Sequence, residues 1–123
     1  MYRVTIEKSI SSAHLLRQYA GKCREIHGHN WIFQVTLEAE QLDEIGMVVD
    51  FGIVKKHLAA LLEPLDHKMI NEIPPFDQMN PTAENLCAFV FQELKKQWAG
   101  NRVRVALVKV WETPDNVAEY FEA

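Results

Sequence analysis

The chain has 123 residues, of which 48% are hydrophobic, and a formal net charge of −4. These values suit one domain, residues 1–123, with its own core, and the dispersed charges of both signs exclude the basic surface that a nucleic acid partner needs. The sequence has no basic leader and no run near the roughly 18 apolar residues of a membrane span, and it has only two cysteines, so we expect a soluble, cytoplasmic protein with no membrane partner.

Two half-buried strands are predicted near the start of the chain, with an irregular basic loop between them. Apolar and polar residues alternate over 2–7 and again over 31–40, which is the pattern of a strand with one buried face. The apolar positions are even-numbered in the first strand and odd-numbered in the second.

Two helices and two more strands are predicted after this pair. Apolar residues recur at helical spacing over 51–62 and 86–98, whereas the valine-rich stretch 102–112 indicates a strand and 113–121 a turn with a closing strand. The predicted N-caps are Asp50 for the first helix and Asn80 or Thr82 for the second. This order predicts an α+β fold in which two helices lie on one face of a four-stranded antiparallel sheet.

Three histidines are placed to converge at one edge of the core. His27 and His29, in CREIHGHN, continue the odd-numbered apolar series of the second strand, and His14 falls in the even series of the first if that strand stays extended. Three imidazoles with an open fourth position form the ligand set of a catalytic zinc. The alternative is that these are ordinary histidines, one of them at the surface.

The two cysteines need separate explanations. Cys23 lies four residues before His27, and from the residues alone it is a fourth zinc ligand, a buried bystander or a reactive thiolate. Lys22, Arg24 and a nearby dication would lower its pKa and favour the thiolate. Cys87 lies in the apolar pattern of the second helix, which indicates a core position.

Three other polar residues are candidates for chemistry. Asp66 and His67 form an acid–imidazole pair that suits a proton shuttle, although neighbours in an extended segment point apart and a surface loop is the alternative. Glu112 ends the third strand and falls in the even series, opposite Val105 and Trp111. A carboxylate there suits recognition of the N–C–N edge of a heterocycle, or is a solvated rim charge.

Six segments together resemble the family of 6-pyruvoyltetrahydropterin and 6-carboxytetrahydropterin synthases. In chain order they are SSAHLL, CREIHGHN, GMVVDF, LDHKMIN, NPTAENL and VKVWET. The resemblance implies the tunnelling fold, in which three subunits close into a trimeric barrel and two trimers stack as a homohexamer. It also implies active sites at subunit interfaces, where Asp66 and His67 of one chain would serve Cys23 of another.

The resemblance also implies a role for each matching residue. His14, His27 and His29 would bind Zn²⁺, Cys23 would be the base, and His67 and Asp66 would relay protons. Glu112 would anchor the pterin ring, with Thr82 and Glu84 lining the same pocket. The implied substrate is 7,8-dihydroneopterin triphosphate. The candidates for holding its triphosphate are Arg17, Lys22, Arg24 and Lys68.

The spacing of the motif favours one branch of the family. Three residues, 24–26, separate Cys23 from the HGH triplet, which is similar to the bacterial 6-carboxytetrahydropterin synthases of the queuosine (7-deazaguanine) precursor pathway. Products would be 6-carboxy-5,6,7,8-tetrahydropterin, acetaldehyde and triphosphate. The segment WETPDNVAEY resembles the pyruvoyl branch as well, so 6-pyruvoyltetrahydropterin synthase is the first alternative. A non-catalytic structural zinc module, closed by Cys23, is the second.

Overall fold

The computed structural model describes residues 1–18, 21 and 24–123, which form one sheet and two α-helices. The sheet has four antiparallel strands in chain order: β1 (Tyr2–His14), β2 (His27–Ala39), β3 (Arg104–Thr113) and β4 (Asn116–Tyr120). Helices α1 (Phe51–Leu62) and α2 (Ala83–Gln97) lie between β2 and β3 in the chain. The predicted order of elements and the α+β class are therefore confirmed.

Both helices begin at predicted caps. The Asp50 carboxylate accepts a hydrogen bond from Gly52 N at 2.7 Å, and the Thr82 hydroxyl accepts one from Asn85 N at 3.0 Å. A cap of this kind stabilises a helix by about 1 kcal/mol, because it pairs an amide group that has no partner inside the helix. Within the described residues, no helix is both long and apolar enough to cross a membrane.

Both helices pack on the same face of the sheet and build its core with the inward side chains of the strands. The odd-numbered residues of β2 are fully buried there, as their alternation predicts: Trp31, Phe33, Val35 and Leu37. Helix residues at helical spacing join the same cluster: Val54, Leu58, Leu62, Leu86, Val90 and Leu94. Burial of this apolar surface, at roughly 25 cal/mol per Å², is the main force that holds the layers together.

One extra residue in β3 changes which side chains face the helices. Leu37 pairs with Val105 and Thr36 pairs with Leu107, so Ala106 has no partner on β2. The bulge shifts the buried positions from odd to even numbers, and Val108 and Val110 are completely buried. As a result, the end of β3 turns its even-numbered side chains toward the helix-covered face.

The helices leave the opposite face of the sheet uncovered, and that face carries a charged cluster. Glu38 in β2 is buried between Arg3 of β1 and Arg104 of β3, whose Nε atoms donate to its carboxylate at 2.8 and 2.7 Å. The hydrogen bond from Arg3, with a further contribution from Arg104, lowers the pKa of Glu38 below its ordinary value. Its carboxylate therefore stays ionised at neutral pH and ties three strands together.

The segment after α1 runs along the free edge of β1. His67 N donates to the Ser11 carbonyl at 2.7 Å, and Ala13 N donates to the Lys68 carbonyl at 3.0 Å. A parallel bridge then joins Ala13 to Met69. This pairing places Asp66 and His67 beside the carboxyl-terminal end of β1, where His14 is located.

Candidate metal centre

Three histidine side chains converge where β1 and β2 end their pairing. His14 stands opposite His27 as the last rung of the ladder, and Ser12 stands opposite His29. The three ring centroids are 4.5, 4.8 and 5.0 Å apart. The convergence that the strand alternation predicts is therefore confirmed.

Backbone carbonyls orient two of these rings. His14 Nδ1 lies 2.8 Å from the Pro81 carbonyl oxygen, and His27 Nδ1 lies 2.8 Å from that of Glu25. Because a carbonyl oxygen only accepts, each Nδ1 carries the proton and each Nε2 keeps its lone pair. Both rings are therefore in the tautomer that binds a metal through Nε2. The sequence offers no signal for the role of Pro81, since a backbone atom performs it.

The donor set fits a metal ion. Within the described part of the chain, Nε2 of His14 and Nε2 of His29 are buried without a hydrogen-bond partner. Burial lowers the pKa of both imidazoles, so they are neutral at pH 7. A buried polar atom without a partner costs about 1–3 kcal/mol, and a bound cation removes that cost. One donor atom from each of His14, His27, His29 and Glu112 lies within 4.8 Å of the others.

Glu112 joins this cluster from the face that the sequence analysis did not predict. Its carboxylate oxygens lie 3.5 Å from His29 Nε2 and 4.0 Å from His14 Nε2. The predicted side was wrong because Ala106 is the extra residue of the β3 bulge, so Glu112 shares the covered face with Val110. The change from odd to even valine positions between 105 and 108 was the available signal.

Asp66 and His67 contact each other directly. The distance from Asp66 Oδ1 to His67 Nδ1 is 2.9 Å, and the same oxygen accepts a hydrogen bond from Ser11 N at 3.0 Å. The chain is not extended here, since His67 has a φ of 57°, and this turn brings the two neighbouring side chains together. The His67 side chain is 79% exposed, so the aspartate orients an imidazole that faces outward.

The other predicted site residues lie at different distances from the histidine cluster or have other partners. Thr82 caps α2 directly after Pro81, and Glu84 is exposed in the first turn of that helix. The guanidinium of Arg17 donates to three backbone carbonyls, at 3.0, 3.2 and 3.3 Å, so it is engaged within the chain rather than free for a triphosphate. Cys23 lies outside the described residues.

Comparison with known proteins decides the family. The sequence model described as "6-pyruvoyl tetrahydropterin synthase" matches residues 3–123. The chain belongs to this family. A Synechocystis protein named 6-carboxy-5,6,7,8-tetrahydropterin synthase is 33% identical over 126 residues, which cover 98% of this chain and 94% of the relative. A Haemophilus influenzae protein of the same name is 30% identical over 152 residues, covering 99% of this chain and 100% of the relative.

A solved structure from the same family agrees with the fold. The 6-pyruvoyl tetrahydropterin synthase of Caenorhabditis elegans superposes with a TM-score of 0.83 and 29% sequence identity, covering 100% of this chain and 98% of that one. The four-stranded sheet with its two helices is thus the fold of this family.

We expect His27→Ala to weaken metal binding by tenfold or more, because it removes one of three converging imidazoles. The matched control is His57→Ala, since His57 lies in α1 and packs edge-on against Trp98 with ring centroids 5.4 Å apart, outside the cluster. Metal content per chain after dialysis, measured by mass spectrometry, checks this. Unchanged metal content in His27→Ala would refute the assignment of the centre.

Proposed function

We propose that this protein is a zinc-dependent enzyme that converts 7,8-dihydroneopterin triphosphate and one water molecule to 6-carboxy-5,6,7,8-tetrahydropterin, with release of acetaldehyde and triphosphate. The reaction would serve the biosynthesis of the queuosine (7-deazaguanine) precursor. The observation that carries this proposal is the convergence of three imidazoles, with His14 fully buried, in a chain that belongs to the pterin synthase family.

We assign the metal as zinc and its ligands as His14, His27 and His29. Three imidazole nitrogens with a position left for substrate form a catalytic zinc site, whereas a structural zinc is usually closed by four cysteines and histidines. When bound, zinc would supply a Lewis acid that lowers the pKa of the side-chain hydroxyls of the substrate. Proton transfer and substrate binding remain the tasks of the protein's own side chains.

We assign the base to Cys23, with His67 and Asp66 as the proton relay. The sequence has two cysteines, and burial raises the pKa of the Cys87 thiol to about 11, so Cys87 stays protonated at neutral pH. Cys23 is then the thiol that remains for this role. The 2.9 Å contact with Asp66 would hold the His67 ring in one orientation for proton transfer.

We assign substrate recognition to Glu112, Thr82 and Glu84. A carboxylate with two free oxygens matches the two neighbouring N–H donors of a guanidine-like ring edge. The Glu112 side chain is 27% exposed and lies within 4.0 Å of two histidines, so a ring bound to it would lie close to the metal. Pro81, which precedes Thr82, contacts His14 and brings the start of α2 to the same place.

Two observations favour the carboxy product over the pyruvoyl product. The relatives from Synechocystis and Haemophilus influenzae are both named 6-carboxy-5,6,7,8-tetrahydropterin synthase, and three residues separate Cys23 from His27. The pyruvoyl synthase remains the second candidate, because the C. elegans neighbour carries that name at 29% identity. We further propose a cytoplasmic homohexamer of two trimers, in which the exposed His67 serves the site of a neighbouring subunit.

The product identifies the reaction. We expect anaerobic incubation of the zinc-loaded protein with 7,8-dihydroneopterin triphosphate to release acetaldehyde and a carboxylated pterin, both detected by mass spectrometry. A pyruvoyl pterin without acetaldehyde would assign the protein to the other branch. If the substrate is not consumed at all, the proposed function is wrong.

Cys23→Ala should retain zinc and lose turnover by about 10²–10⁴-fold, because the base is removed while the ligands stay. The matched control, Cys87→Ala, should keep turnover near that of the wild type, since Cys87 is buried in the core. Steady-state kinetics and metal content are measured together. Full activity in Cys23→Ala would exclude the assigned base. A thiolate-to-metal charge-transfer band in the cobalt-loaded wild type, lost in Cys23→Ala, would instead make Cys23 a ligand.

Glu112→Gln tests whether this carboxylate binds substrate or metal. If Glu112 binds the substrate, the Glu112→Gln variant should retain metal at the wild-type level. Its kcat/KM should fall by roughly 10–150-fold, equivalent to the ~1.5–3 kcal/mol of a hydrogen bond to a charged group. A parallel loss of metal content would show that Glu112 is a ligand and that the recognition role belongs elsewhere.

A further inference from the structure

Residues 15–18, which follow His14, have no strand partner, and two asparagine side chains take the place of one. Leu15 N donates to Asn71 Oδ1 at 2.9 Å, and Asn71 Nδ2 donates to the Leu15 carbonyl at 3.1 Å. Asn80 binds Arg17 in the same two-sided way, at 2.8 Å and 2.9 Å. Each carboxamide thus pairs both polar backbone groups of one residue.

These contacts continue the pattern of backbone bonds along the free edge of β1. Ser11 and Ala13 are paired by backbone groups of His67 and Lys68, and the next alternate residues, Leu15 and Arg17, are paired by side chains. An amide side chain has the donor and acceptor of a peptide group, so it can replace one rung of a ladder. The carboxamides therefore hold the chain in line for three residues after His14, where pairing with β2 has ended.

Arg17 makes the attachment reciprocal. Its guanidinium donates to the backbone carbonyls of Asn71, Phe76 and Met79. Residues 71–80 therefore bind the Arg17 backbone through Asn80 and are bound in turn by the Arg17 side chain. Asn71 is only 9% exposed, which shields its hydrogen bonds from water. We call the Asn71 and Asn80 side chains, together with Arg17, the carboxamide clamp.

The clamp is connected to the metal centre through His14 on two sides. Leu15, which Asn71 binds, follows His14 directly in the chain. Asn80 precedes Pro81, whose carbonyl oxygen lies 2.8 Å from His14 Nδ1, and the Asn80 carbonyl accepts a further hydrogen bond from Asn85 Nδ2 at 2.8 Å. Both the backbone beside His14 and the group that orients its ring therefore depend on the clamp.

We infer that Asn71 and Asn80 are positioning residues of the metal centre, which set the place and orientation of His14 through Leu15 and Pro81. This inference rests on the metal site of the proposed function. Without the clamp, the His14 ring loses its fixed direction while His27 and His29 keep theirs. Loss of the clamp should therefore weaken metal binding and alter the arrangement of ligands around the metal. The effect on the stability of the fold should be small.

The test compares Asn80→Asp and Asn71→Asp with Asn101→Asp. Each Asp keeps the shape and the acceptor of the asparagine but places an oxygen where Nδ2 donates to a carbonyl. Asn101 lies beyond the opposite end of α2, a helix of 15 residues and about 22 Å, and is exposed. Co²⁺ affinity by titration, the visible spectrum of the Co²⁺ protein and the Tm of the metal-free protein are measured for each variant.

We expect Asn80→Asp and Asn71→Asp to bind Co²⁺ about tenfold more weakly and with an altered visible spectrum, whereas Asn101→Asp matches the wild type. Variants with a lower metal-free Tm but wild-type Co²⁺ affinity and spectrum would show that the clamp only stabilises the fold, and would overturn the inference. If one variant does not fold, the other decides by the same comparison. A wild-type protein that binds no Co²⁺ contradicts the proposed metal centre itself, which is a separate failure.

Discussion

The register between β1 and β2 is the constraint on which the site depends. Since side chains alternate between the two faces of a strand, a slip of one residue would turn His27 and His29 to the uncovered face and separate them from His14. The register is held by core pairs further along the same strands, Ile6 with Val35 and Ile10 with Trp31. Core packing therefore places the imidazoles before any metal arrives, which lowers the entropic cost of binding one.

The site also depends on segments that are distant in sequence. The Pro81 carbonyl orients His14 from 67 residues away, and the segment after α1 pairs with β1 and places His67. The start of α2, capped by Thr82, thus stands against the histidine cluster. One end of the sheet brings together the proposed metal ligands and the proposed substrate contacts at the end of β1. Asp66 and His67 lie beside the same strand end, with the His67 side chain facing outward, as its proposed role at the site of a neighbouring subunit requires.

The sequence was sufficient where a short-range pattern decides the structure. Alternation in β1 and β2 predicted the histidine cluster, and side-chain chemistry predicted the caps of both helices. The sequence was insufficient where a single backbone irregularity decides the direction in which a side chain points. The bulge at Ala106 reversed the face of Glu112, and the positive φ of His67 joined a pair that an extended chain would separate. The roles of Pro81, Asn71 and Asn80 depend on contacts with residues 56 to 67 positions away, which no local pattern contains.

The position of Glu112 decides the charge that a metal centre here would carry. Three neutral imidazoles leave the full double charge of a divalent ion available to polarise hydroxyl groups, whereas a coordinated carboxylate would neutralise half of it. Chemistry that develops negative charge on substrate oxygens gains most from the uncompensated ion. Glu112 is the last residue but one of β3 and is partly exposed, so in its proposed role the carboxylate would bind the substrate ring beside the metal. The proposed imidazole-only ligand set is therefore the arrangement that suits both the proposed metal chemistry and the proposed recognition of the substrate.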